Sequence, residues 1–128
     1  IKDKRILLKS LQEIKNSITN CIKSILQYEY LFKRINLTKD PEANFKIFME
    51  KCAPRYNISK LEIKSMLDLF DYVQKHMESP FEFVRNEKII ILSKNMNPKT
   101  LTVEKTKEFL IMAKGILKKT KETMNSNI

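Results

Sequence analysis

Glycine, histidine and tryptophan are almost missing from this chain of 128 residues, which has one Gly, one His and no Trp. One Gly excludes a Gly-rich phosphate loop, since Gly115 stands alone. It also argues against an all-β sandwich or barrel, which needs many tight turns. One His, His76, with two cysteines cannot supply a four-ligand zinc site at the usual spacings. No apolar run approaches the roughly 20 residues of a membrane-spanning helix. Arginine is scarce, four of 25 basic residues (Arg5, Arg34, Arg55, Arg85), so bidentate phosphate recognition has few carriers. No internal repeat, low-complexity block or Gly/Ser/Pro-rich linker divides the sequence. Its length suits one domain, and residues 1–128 read as a single unit.

Lysine, isoleucine and asparagine are abundant instead, and the formal net charge is +10. Such a charge invites a polyanion as partner, although codon bias supplies the same three residues. The excess sits at the ends: residues 1–36 carry 8 basic and 3 acidic side chains, and residues 99–128 carry 7 and 3. The candidate binding surface is therefore a basic face built from the first and last helices. Lys2, Lys4, Arg5 and Lys9 line one part; Lys114, Lys118, Lys119 and Lys121 line the other. If the two helices run the same way, these clusters fall at opposite ends.

Hydrophobic spacing predicts helices almost throughout. Leu7, Leu11, Ile14, Ile18, Cys21, Ile25, Tyr28, Phe32 and Ile35 alternate four and three apart, a heptad stripe over 5–35 widened by Leu8, Ile22 and Leu31. Asp40-Pro41-Glu42 reads as a second helix start, with Phe45, Phe48, Met49 and Cys52 on its apolar face and Pro54 ending it. Ser59 and Glu62 form a capping box, with Ile58 and Ile63 as the staple across it. Ile63, Met66, Leu67, Phe70, Val73 and Met77 follow at helical spacing. Ser79-Pro80-Phe81-Glu82 reads as another capping box, opening a fourth helix over 81–95 despite the β-branched run Ile89-Ile90-Ile91. A loop runs from Asn95 to Thr102. Thr102 then caps a last helix whose inner face is Val103, Phe109, Leu110, Ala113, Ile116 and Leu117, and Asn125-Ser126-Asn127 reads as a frayed tail. The expected fold is all-α: an antiparallel bundle of about five helices with a long first helix.

Chemistry is thin on this sequence. His76 has no nucleophile nearby and reads as a surface or helix-end residue. Asp68 and Asp71, three apart, share a helix face and could hold a cation. Cys21 and Cys52 read as buried free thiols or as one disulfide worth roughly 3–4 kcal/mol. Two glycosylation sequons, Asn36-Leu37-Thr38 and Asn57-Ile58-Ser59, fall in predicted loops. The expected function is a non-enzymatic binding module or accessory subunit acting through another protein, with no cofactor and with the first helix as an oligomer seam if its stripe stays uncovered. The alternatives are a basic nucleic-acid-binding accessory protein and a secreted four-helix-type ligand or surface protein carrying a Cys21–Cys52 bridge. An intracellular location is favoured, with secretion open.

Overall fold

The heptad stripe of the first segment does form one long helix. A computed structural model describes residues 4–79, 81–93 and 97–126, and in it α1 spans Lys4–Leu31, about 42 Å at 1.5 Å per residue. Leu7, Leu11, Ile14, Ile18, Cys21 and Ile25 are buried along it. The helix stops short of the expected residue 35 because Lys33 takes a left-handed conformation, φ 60°. The Lys33 N–H then donates to the Tyr30 carbonyl and the Arg34 N–H to the Glu29 carbonyl, both at 2.9 Å. This is a Schellman ending with lysine where glycine is usual. Phe32 is left exposed and Ile35 is buried from outside the helix.

Helix α2 starts where the sequence places it. Asp40 Oδ1 accepts from the Glu42 N–H at 3.1 Å and Pro41 occupies the first turn. The helix runs Pro41–Ile47 and continues as one π turn, Phe48–Cys52. A second left-handed residue, Asn57 (φ 58°), turns the chain toward α3, Lys60–Glu78. There both halves of the Ser59–Glu62 capping box are present.

The segment after α3 overturns the all-α expectation. It is a three-stranded antiparallel meander, β1 Phe81–Arg85, β2 Lys88–Leu92 and β3 Pro98–Leu101. Among the described residues the fold is thus four helices and a small sheet, mixed α/β rather than a five-helix bundle. The partners that β2 needs lie immediately on either side of it in sequence: Val84 pairs Ile89, and Ile89 pairs Leu101. Asn86 (φ 52°) and Glu87 (φ 61°) form the two-residue turn of the first hairpin, both in the left-handed region that a type I′ turn requires. Period-2 alternation follows: Ile89 and Ile91 are fully buried, whereas Ile90 faces outward. Ser79 opens no following helix and instead ends α3, its N–H donating to the His76 carbonyl; its hydroxyl proton is shared between the Phe81 carbonyl and, at 2.6 Å, the Leu92 carbonyl, pinning the start of the sheet. Pro80 and Asn95 lie outside the described residues, as does Asn127.

Helix α4, Val103–Asn125, begins at Thr102, whose hydroxyl accepts from the Lys105 N–H at 3.0 Å. It packs most extensively on α1. The two run parallel, since Cys21 meets Thr120 and the Tyr28 hydroxyl reaches the Met124 carbonyl. Helix α3 runs opposite to α4: Glu62 meets Lys119 at one end, and the Tyr72 ring lies 5.6 Å from Phe109 at the other. The Tyr72 hydroxyl donates to the Thr100 carbonyl at 2.7 Å, tying α3 to the sheet. Gly115 leaves room for Glu62; a Cβ there would lie 3.3 Å from its carboxylate. No helix among the described residues is long and apolar enough to cross a membrane.

Candidate functional site: the groove between α1 and α4

Three polar clusters hold the fold together. Glu29, near the C-terminal end of α1, is 1% exposed. A carboxylate there opposes the helix dipole, so it needs strong partners. It has three: Arg34 at 2.9 Å, Arg55 at 3.0 Å and the Tyr56 hydroxyl, which donates at 3.1 Å. Burial, then the Glu29 charge, pushes the Tyr56 phenol well above its ordinary range. The same causes push the Cys52 thiol up to about 11. Burial also raises Cys21, which shares a hydrogen bond with Thr120 at 3.3 Å. Both cysteines are free buried thiols, protonated at neutral pH and poor nucleophiles.

In the second cluster, Asp68 and Asp71 do hold a cation, and it is a side chain of the protein itself. Lys99 lies 2.9 Å from Asp68 and 2.7 Å from Asp71, and Lys105 lies 3.0 Å from Asp68. Burial would raise the Asp68 pKa, but the hydrogen bonds from Lys99 and Lys105 outweigh it and lower it. Asp71 is lowered chiefly by Lys99. In the third, His76 Nδ1 pairs with Glu82 of β1, a carboxylate that falls beside the imidazole only because β1 is a strand. Lys4 also reaches Glu82, at 3.9 Å. The hydroxyl of nearby Ser79 is spent on backbone carbonyls, so the pair has no hydroxyl nucleophile there to activate.

The sequence-predicted basic face is not assembled as one patch. Because α1 and α4 are parallel, Lys4, Arg5 and Lys9 sit beside the start of α4. Lys118, Lys119 and Lys121 sit roughly 20 Å away at its far end. Lys4 is committed to Glu82, Lys119 to Glu62 and Lys118 to Glu122. Lys2 lies outside the described residues. Among the described residues of the set, Lys119 borders a small polar hollow with Asn57 and Glu122, and Lys114 borders a larger concave surface.

That surface is a groove of about 460 Å³ running between the two parallel helices. Ser10, Glu13 and Ser17 line its α1 wall; Leu110, Ala113 and Leu117 line its α4 wall. Leu110 and Leu117 are each 41% exposed, and Ile111 on the outer flank is 71% exposed. Lys107 and Lys114 stand on the α4 side, seven residues apart, and neither makes an ion pair among the described residues. Sequence reasoning assigned Leu110 and Leu117 to the core and passed over Ile111 and Lys107. The core face of α4 is instead Thr106, Phe109, Met112, Ala113, Ile116 and Thr120. The available signal was width, since apolar residues cover more of α4 than one buried stripe needs.

Two other surfaces compare with it. A groove of about 410 Å³ lies across α1, α2 and α3, but its apolar walls, Ile22, Leu26, Phe45 and Phe70, are already buried or half-buried. The outer side of β1 exposes Phe81 (61%) and Phe83 (42%) on a flat edge strand. Two further hollows also set exposed leucines beside a lysine: one of about 580 Å³ between α3 and α4, with Leu61, Leu67 and Lys64, and one of about 420 Å³ at the end of α1, with Leu31 and Lys33. The α1–α4 groove differs in running between two parallel helices, with two lysines without ion pairs among the described residues, Lys107 and Lys114, along one wall. Comparison with known proteins gives no match: no family model, no curated protein and no solved structure matches the chain.

Proposed function

We propose that the protein is a non-enzymatic protein-binding module whose contact surface is the α1–α4 groove. The observation that carries this reading is the pair of exposed leucines, Leu110 and Leu117, along a concave path between two helices, with exposed Ile111 on its outer flank. Apolar surface rimmed by polar residues is costly to leave in water and marks a contact site. The remaining polar chemistry supports the same reading. The buried carboxylate, the aspartate pair and three of the six described lysines of the candidate basic face, Lys4, Lys118 and Lys119, are ion-paired within the chain. The nucleic-acid reading draws on a continuous basic face, and here the two clusters are separated. The secreted reading draws on a Cys21–Cys52 bridge, and here both thiols are free.

The test is selection of random 20-residue peptides on the immobilised chain, followed by titration against wild type and the double variant Leu110→Ser/Leu117→Ser. Serine at these half-exposed positions leaves the fold intact, as circular dichroism checks. The expected result is peptides that bind wild type one-to-one and lose at least tenfold in affinity on the variant. Selected peptides that bind both proteins equally would contradict the proposal.

A further inference from the structure

From the lining of the groove we infer the partner's chemistry: an amphipathic helix with apolar residues at heptad a and d positions and carboxylates at the flanking position that faces α4. The inference rests on the protein-binding reading and specifies its occupant. Thr106, Leu110, Ala113 and Leu117 line the groove from α4 at alternating four- and three-residue spacing, Thr106 and Ala113 as its buried floor and the two leucines as its exposed wall, the period of a coiled-coil seam. On α1, Ser10, Glu13 and Ser17 hold the facing stripe, with exposed Ile6 four residues before Ser10. Small serines opposite large leucines leave a trough into which side chains from a third helix can insert as knobs. A strand presents side chains to one face every second residue and would not match this repeat.

Charge chooses the partner's flank. Lys107 and Lys114 are about 10.5 Å apart along α4, the distance between successive equivalent positions on a docked helix. Carboxylates seven apart on the partner therefore meet both ammoniums, as e and g residues do in coiled coils. The single acid of the groove, Glu13, is on the opposite wall, so the complementarity is one-sided. A second copy of this chain is a poor occupant: each copy carries +10, and Lys107 and Lys114 would meet a surface of the same sign.

The experiment titrates the full chain with one probe, a 21-residue peptide of three heptads with Leu at a and d and Glu at e and g, which is kept monomeric by its own charge. Binding is read by calorimetry and peptide helicity by circular dichroism. Lys107→Gln/Lys114→Gln removes two groove charges; Lys23→Gln/Lys51→Gln removes two charges elsewhere as a matched control. The expected result is one-to-one binding with a gain in helicity, weakened about fivefold by the first double variant and less than twofold by the second. Equal weakening by both would reduce the effect to bulk charge and overturn the inference. So would binding without helicity gain, unchanged binding by Leu110→Ser/Leu117→Ser, or no binding at all. The protein-binding reading itself fails separately, if peptides selected without any design ignore the leucines.

Discussion

Glu29→Gln tests the reasoning about buried charge most sharply. The substitution keeps the shape of the side chain and removes its charge. Three donors then lose a buried carboxylate: Arg34 and Arg55, whose side chains are 32% and 36% exposed, and the buried Tyr56 hydroxyl. Breaking a buried ion pair costs about 3–5 kcal/mol. Both arginines keep some water and glutamine still accepts one hydrogen bond, so the expected loss is about 2–3 kcal/mol. At this chain length that corresponds to a fall of roughly 8–12 °C in Tm. Urea unfolding at pH 7, with equal slopes for the two proteins, reads it directly. A second readout is the Cys52 thiol, pushed up to about 11 by burial first and the Glu29 charge second. Without that charge it should titrate lower, though still above 9.0, because burial remains. A stability loss below about 0.5 kcal/mol would refute the claim that this cluster locks the end of α1 to the α2–α3 connection.

Ile89→Ala and Ile91→Ala should each cost about 2–5 kcal/mol, and Ile90→Ala much less. Thermal unfolding checks this period-2 pattern, and three similar losses would favour a buried helix. Glu87→Gly should stabilise the hairpin by about 1 kcal/mol, because glycine adopts the left-handed turn position without the side-chain clash; an unchanged or lower urea midpoint would contradict the turn assignment. Asp68 and Asp71 have lowered folded pKa values, so their stabilisation is complete above the unfolded 3.8 and is lost as pH falls through the folded values. Lys99 and Lys105 are raised above 10.5, so theirs is complete below 10.5 and is lost at higher pH. Stability against pH should therefore be flat through neutrality with limbs at both extremes, and Asp68→Asn/Asp71→Asn should flatten the acid limb.

The helices were legible where local chemistry decides them. The Asp40, Ser59 and Thr102 caps all form as their side chains indicate, and the α1 stripe is buried from Leu7 to Ile25. The sheet was not legible, for a physical reason. Ser79-Pro80-Phe81-Glu82 carries the residues of a capping box, and Asn86-Glu87 lacks the glycine that usually announces a type I′ turn. The β-branched run Ile89-Ile90-Ile91 was the competing signal, and tertiary burial of Ile89 and Ile91 makes it win. The candidate site was half legible. Lys114 and the pairing of the first and last helices were visible, but α4 carries two overlapping apolar stripes and periodicity does not say which one the core takes. The partners of Asp68, Asp71 and His76 were hidden because Lys99 and Glu82 reach them from the strands.

The central claim is that the α1–α4 groove binds a helix. It is tested most directly by NMR of methyl-labelled protein during titration with the acidic heptad peptide. The account predicts saturable shifts at Leu110, Ile111, Ala113 and Leu117, with the β2 methyls Ile89 and Ile91 unmoved. Shifts centred on Val84 and Ile90 of the sheet, or no saturable shift at all, would contradict it.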